Sequence, residues 1–330
     1  MTIANGTPPS SKNQRRDSAR DKARQLREEQ KKKDFRNRLI LQGSLVVVLI
    51  AIAAAIFLVI TTTVKPIAQG PRNMMTDGIT IGQDLEAVRT RALPTNSEPI
   101  PAPSNPSSVV DIRVYVDYMC PVCGSFEKAN GALIKQMVSD GSATIEIHPV
   151  AILDRFSQGA RYSSRAANAA ACVSNFSPDN FFAFNTLLFD NQPEENSPGL
   201  TDGALIELAK ESGVVSTFKK VSQCIENQDF KTWVVASSDR FGANEIPNVA
   251  TQPTDTPEQH GTPTIYVNGQ FYRWTLKEVT STNSSTQEKV VSYEFDPSEF
   301  SAFITKVLGA DFAEKSVQTP TETPTPSPTP

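Results

Sequence analysis

Histidine is almost missing from this 330-residue sequence, which has only His148 and His260. That is too few for a His-rich metal site. Cysteine is scarce as well. Four residues, Cys120, Cys123, Cys172 and Cys224, exclude a small scaffold held by a dense set of disulfides. The chain also lacks a uniform sign of charge. Residues 1–38 carry twelve Lys/Arg against five Asp/Glu, and the remainder carries 20 against 31. An acidic larger part excludes nucleic acid as its ligand. Apolar residues are not lacking: they make up 38% of the chain, which excludes a wholly disordered protein. The length allows one or two domains of roughly 150 residues, and no internal repeat is found.

The charge asymmetry turns about one segment. Leu39 to Ile60 reads LILQGSLVVVLIAIAAAIFLVI, with no charged residue. As a helix it extends roughly 33 Å, enough to cross a hydrocarbon core. Without a polar face it is not a buried core helix. Its long basic forerunner, and the absence of an A-x-A site after it, set it apart from a cleaved signal peptide. The expectation is therefore a transmembrane helix over 39–64. The basic tail 1–38 lies in the cytoplasm and everything after about Lys65 lies outside. The tail lacks an apolar stripe, so it is at most a solvated helix, able to rest on anionic headgroups.

Proline marks the remaining boundaries. Residues 65–108 hold seven Pro and read as an extended, semi-rigid linker. Residues 316–330 hold five Pro and five Thr and read as a disordered tail. Between them, 109–315 forms one globular unit with an α/β pattern. Val109–Asp117 is strand-like, Cys120 to about Val138 helical, and Ala143–Ile152 strand-like again. Residues 158–242 form a long all-helical stretch with five helices. Strand character returns at Thr264–Val267, and Asn268-Gly269 marks a hairpin to Phe271–Trp274. VVSYEF looks like strand, and Pro297–Leu308 is a closing helix with Pro near its start.

The chemistry sits at Cys120-Pro121-Val122-Cys123, which follows a strand and opens a helix. Two Cys in C-x-x-C spacing close a small ring reversibly. Unpaired N–H groups and the dipole at a helix N-terminus favour negative charge, so the first thiol is stabilised as thiolate. A stabilised thiolate is a good leaving group, which makes the disulfide oxidising and exchange fast. Pro121 suits the first turn because its missing N–H would be unpaired there. Cys120 is then the exposed attacking sulfur and Cys123 the shielded resolving one. The alternatives are a purely structural bridge or half of a zinc site. Zinc's further ligands would have to come from Cys172, Cys224, His148 and His260, which are all distant from one another. A second signature, Gly261-Thr262-Pro263-Thr264, directly precedes the strand TIYV. A cis bond before Pro263 would turn backbone groups outward to pair with an extended peptide.

Together VYVDYMCPVC, ARYSSRAANAAAC and HGTPTIYVNG resemble the DsbA-like branch of the thioredoxin superfamily, over roughly residues 109–310. The form with an anchor and additional cysteines looks like the membrane-anchored actinobacterial members. The resemblance implies a thioredoxin-like α/β fold with an inserted all-helical domain and one preceding transmembrane helix. It also implies protein thiol–disulfide oxidoreductase activity outside the cytoplasm. Cys120 would be nucleophile, Cys123 resolving thiol, Pro263 the cis-proline, and Thr262 a backbone contact to substrate. The expected role is an oxidase for reduced, unfolded secreted proteins, with isomerase or reductase as alternative and a non-catalytic binding module as another. No cofactor is expected beyond the Cys120–Cys123 disulfide, and no metal. The expected partners are a quinone-linked membrane protein that reoxidises the couple and the lipid bilayer. The chain is expected to be a monomer.

Three further expectations concern single positions. Cys172 and Cys224, each on a predicted helix, would form a structural disulfide in an oxidising compartment, the alternative being two buried free thiols. Asp117 reads as a solvated strand end. The dipeptide Pro121-Val122, the usual tuning position of the motif, contains no His. His260, three residues before Pro263, is therefore a candidate to supply positive charge near Cys120.

Overall fold

The computed structural model describes residues 69–103, 105–106, 108–243, 261–282 and 289–318, with Arg24, Arg27, residues 30–33 and Ile52. The chain divides into two units, Met1–Lys65 and Pro66–Pro330. In the first, the described residues of the basic tail are helical and exposed. The anticipated span 39–64 lies outside the described residues apart from Ile52. Among the described residues, no helix is long and apolar enough to cross a membrane.

The second unit is built on a five-stranded sheet in the order β1-β3-β2-β4-β5. Its strands are β1 (Ile79–Ile81), β2 (Val110–Val116), β3 (Ala143–Pro149), β4 (Thr264–Val267) and β5 (Gln270–Phe271). β2 and β3 are parallel, and the other pairings are antiparallel. Alternation along β2 gives the sheet two different faces. Ile112, Val114 and Val116 join one apolar core with Ile145 and Ile147 of β3. Helix α1 (Pro121–Ser139) adds Phe126, Ile134 and Val138 to that core. On the other face, register places Arg113 beside Glu146, and the buried pair closes at 2.7 Å. His148 stacks on Tyr115 there at 4.2 Å.

Local signals end the elements where expected. Gly141, at φ 80°, stops α1 after Asp140. Asn268 and Gly269 both take positive φ, 48° and 74°, as the two-residue turn between β4 and β5 requires. The return strand is shorter than the anticipated Phe271–Trp274. Trp274 leaves the ladder, and its indole N–H donates to the Pro263 carbonyl at 3.1 Å. β6 (Lys277–Thr282) and β7 (Lys289–Glu294) form a separate antiparallel ribbon. The closing helix α7 (Pro297–Gln318) runs ten residues beyond Leu308, into the stretch read as disordered tail. Residues 319–330 lie outside the described ones.

Between β3 and β4 lies the helical insertion: α2 (Tyr162–Phe176), α3 (Phe181–Asp190), α4 (Asp202–Glu211), α5 (Phe218–Asn227) and α6 (Lys231–Gly242). α2 is buried along most of its length, with Ala166, Ala167, Ala169, Ala170 and Ala171 fully enclosed. These small side chains let the surrounding helices approach closely. Cys172 on α2 and Cys224 on α5 form a disulfide across a sequence separation of 52. The unfolded chain then carries a closed loop, a restriction worth about 4 kcal/mol in the chain-entropy account.

The linker expectation for 65–108 needs correction over its first half. Residues 69–93 are part of the folded unit. Ile79 and Ile81 are fully buried and pair with Ile147 and Ile145 along the outer edge of β3. Asp77 receives a bidentate ion pair from Arg240 of α6 at 2.6 and 2.7 Å, and the Trp233 indole N–H at 3.2 Å. Asn73 donates to Ser174 at the end of α2, and Asp179 accepts from Arg89 and from the Ala87 N–H. This strap ties the sheet edge to the helical insertion. Three residues of strand, ITI, are too short to show a period, and the partner edge is remote in sequence.

Candidate active site

β2 ends at Val116, and the chain turns at Asp117 before entering α1. The Asp117 carboxylate makes that turn. Its Oδ1 accepts the Met119 N–H at 2.9 Å, and its Oδ2 accepts the Ile152 and Leu153 N–H groups at 2.9 and 3.0 Å. Asp117 is fully buried, so it is not a solvated strand end. Burial pushes its carboxyl up to about 6, against the opposing hydrogen bonds from the N–H groups of Met119, Leu153 and Ile152. A local signal for this role exists: an Asp accepting the N–H two residues on is an Asx turn.

Cys120 is the N-cap of α1 and Pro121 its first residue. Both site cysteines are free thiols, at 6% exposure for Cys120 and 1% for Cys123. The attacking sulfur is thus less open than expected, and acidity separates the pair more sharply than access. The Cys120 thiol is lowered to about 7, chiefly by the hydrogen bond from Cys123. The N–H groups of Cys123 and Val122 also lower it, while burial opposes. Burial, and then the adjoining Cys120 sulfur, push Cys123 well above its ordinary value. One sulfur is therefore prepared as thiolate and the other held as thiol. Pro121 is exposed, and Val122 is partly buried against the core.

Opposite Cys120 is the loop before β4. The Thr262–Pro263 bond is cis. The Cys120 Sγ lies 3.1 Å from the Thr262 carbonyl oxygen. The Thr262 hydroxyl oxygen is buried, with no protein hydrogen-bond partner. The fold thus brings together Cys120, Cys123, Pro121, Val122, Thr262 and Pro263. It keeps Cys172 and Cys224 apart from them, in their own disulfide. His260 lies outside the described residues. Among the described residues no cluster of three or more His, Cys, Asp or Glu could hold a metal ion.

Two side chains at the site carry no sequence signal. Gln192, just after α3, donates its amide to the Tyr118 and Cys120 carbonyls at 3.1 and 2.9 Å. Glu127 faces a cleft of about 980 Å³ between α1 and α3, lined also by Pro121, Gly124, Phe182, Thr186 and Asp190. Burial, with help from the Asp190 charge, raises Glu127 to about 7. A carboxyl whose folded pKa lies above its unfolded value stabilises fully below the unfolded value, and that contribution is lost as pH rises through the folded one. Glu127→Gln should therefore flatten part of the fall in stability that the wild type shows between about pH 5 and pH 8, leaving the variant relatively more stable at the upper end. Denaturant melts at both ends of that range test this, and an unchanged pH slope would refute it.

The thioredoxin family model matches residues 104–284, more than half of the chain. The chain belongs to that family. Its strand–CPVC–helix unit, helical insertion and cis-proline strand are the features that carry the resemblance to the DsbA-like branch of that family. Among curated proteins, 110 residues are 34% identical to the serine/threonine-protein kinase PknE of Mycobacterium tuberculosis and of Mycobacterium bovis. The match covers 32% of this chain and 19% of the kinase, so it spans about a fifth of those relatives. Among solved structures, reduced DsbA from M. tuberculosis is similar at 28% identity and TM-score 0.47, covering 74% of this chain and 100% of that one. The oxidoreductase DsbG from the same organism is similar at 29% identity and TM-score 0.45, covering 66% and 88%.

Proposed function

We propose that this chain is a membrane-tethered, extracytoplasmic oxidase that passes the Cys120–Cys123 disulfide to reduced, unfolded secreted proteins. The observation that carries this is the placement of Cys120 at the N-terminus of α1 with Cys123 one turn on, and its Sγ 3.1 Å from the carbonyl of Thr262, whose bond to Pro263 is cis. A substrate thiolate attacks the Cys120 sulfur of the disulfide and forms the mixed disulfide, and Cys123 leaves as thiolate and takes a proton. A second substrate thiolate then attacks the substrate sulfur of that bond and expels Cys120 as thiolate. Two substrate thiols end as a disulfide and the enzyme couple ends reduced, with two electrons transferred. Thr262 and Pro263 face the attacked sulfur and present backbone to the arriving peptide. The apolar segment Leu39–Ile60 and the basic residues before it support the tether and its orientation. Turnover needs a reoxidant, for which a quinone-linked membrane protein is the proposed partner, and the enzyme acts as a monomer.

One observation favours a second reading. A pKa of about 7 lies at the upper end of the roughly 3.5–7.5 range for activated thiols of this kind. A less stabilised thiolate makes a less oxidising couple, suited to reduction or isomerisation. The equilibrium potential of the 120–123 couple against glutathione decides. An oxidase should lie above about −200 mV, and a value near −270 mV would make the protein a reductant instead.

A further inference from the structure

The geometry points to Gln192, on the helical insertion, as a positioning residue that holds the Cys120 carbonyl and thereby aims the Cys120 sulfur. Gly124 is the residue that makes room for it. The inference deepens the proposed exchange chemistry by naming what fixes its nucleophile.

Both amide hydrogens of Gln192 are used. One goes to the Tyr118 carbonyl and the other to the Cys120 carbonyl. The Cys120 carbonyl also accepts the Gly124 N–H at 3.2 Å, the first hydrogen bond of α1. It therefore has two donors in place, one from its own helix and one from the insertion. Pinning this carbonyl fixes the peptide plane between Cys120 and Pro121, and with it the direction in which the Cys120 side chain leaves the helix start. That direction decides how well the sulfur meets the N–H groups of Val122 and Cys123, which favour its thiolate. Tyr118 is gripped from the same side. Its hydroxyl donates to Asn185 Oδ1 on α3 at 3.0 Å, and its ring lies 5.2 Å from that of Phe189. The loop that delivers Cys120 is thus held by α3 and by the residue that follows it, not by the sheet alone.

Gly124 lies against the same Gln192 amide. It stands in the first turn of α1, where a glycine weakens a helix relative to alanine. A β-carbon there would overlap Gln192 Oε1. The site accepts the weaker helix residue where the Gln192 amide lies against the backbone.

The test uses the full-length protein and four variants: Gln192→Ala, Gln192→Glu, Gly124→Ala and the double Gln192→Ala/Gly124→Ala. Thiolate absorbance against pH and equilibration with glutathione are the readouts, with thermal melts run beside them. Gln192→Ala should weaken the acidity of the Cys120 thiol about threefold, the scale of one lost hydrogen bond, which lowers its thiolate fraction at neutral pH about twofold and shifts the glutathione equilibrium toward the protein disulfide. Gln192→Glu keeps the length but, once ionised, cannot donate to either carbonyl, and should shift both readouts at least as far. Gly124→Ala should reproduce the change with Gln192 present and add nothing in the double variant. If Gln192→Ala lowers only the melting temperature and its titration overlays the wild type, the residue is merely structural and the inference fails. It fails equally if Gly124→Ala shifts the titration by the same amount with and without Gln192. The titration reads Cys120 whatever the protein's direction of catalysis. A reducing potential in the wild type would overturn the oxidase reading and leave this inference standing.

Discussion

Cys120→Ser will abolish thiol–disulfide exchange, whereas Cys123→Ser will stop it halfway. In the first variant the attacked and attacking sulfur is gone, and oxidation of a reduced, unfolded substrate should fall by about a thousandfold or more, the scale on which loss of a catalytic nucleophile is felt. The serine hydroxyl cannot replace it, because it neither forms a stable thiolate-like anion at neutral pH nor closes a disulfide. In the second variant Cys120 keeps the N–H groups of the α1 start and Thr262 beside it, so it still enters a mixed disulfide when offered an activated one. It then lacks the internal thiol that would resolve the bond. Mass analysis under non-reducing conditions should show an adduct on Cys123→Ser and none on Cys120→Ser. Removing Cys123 also removes the leading cause of the lowered Cys120 pKa, so its thiolate should form at higher pH than in the wild type. Full activity in Cys120→Ser would end the enzymatic reading.

Asp77→Ala will cost about 3 kcal/mol, because it takes the carboxylate from a nearly buried ion pair and leaves the Arg240 charge behind. Arg240 and Asp77 side chains are only 13% and 9% exposed, and the Trp233 indole N–H loses the same acceptor. For a unit of this size the melting temperature should drop by roughly 6–12 °C. Asp77→Ala/Arg240→Ala should cost less than the sum of the single changes, since the double variant buries no stranded charge. A fragment beginning at residue 109, or even at 80, lacks Asp77 and should fold poorly, while one beginning at Pro66 should fold. Additive single effects below about 1 kcal/mol would show that the strap merely rests on the insertion.

The same strap shows where sequence reasoning stops. Strands such as Thr264–Val267 and the five helices between β3 and β4 were legible, because period, turn residues and caps are local. The redox site was legible for a similar reason. CPVC at the start of a helix and GTPT before a strand each announce their chemistry within a few residues. Asp117 was misread, because its exposure depends on Ile152 and Leu153 folding over it from the far end of β3. Glu127 and Gln192 gave no sign at all. A glutamate on α1 becomes a half-buried acid only when α3 packs beside it, and a glutamine in a polar loop becomes an anchor only when that loop crosses the helix start.

The amino-acid sequence by itself therefore determined the class of fold, the candidate pair Cys120 and Cys123, and the proline on the loop opposite them, since each is written in contiguous residues with a local physical cause. Only the tertiary structure decided that residues 69–93 belong to the folded unit, that burial pushes the Cys123 thiol up, and that Gln192 grips the loop carrying Cys120. Those depend on burial and on hydrogen bonds between segments far apart in sequence, and no local pattern encodes which distant group will arrive.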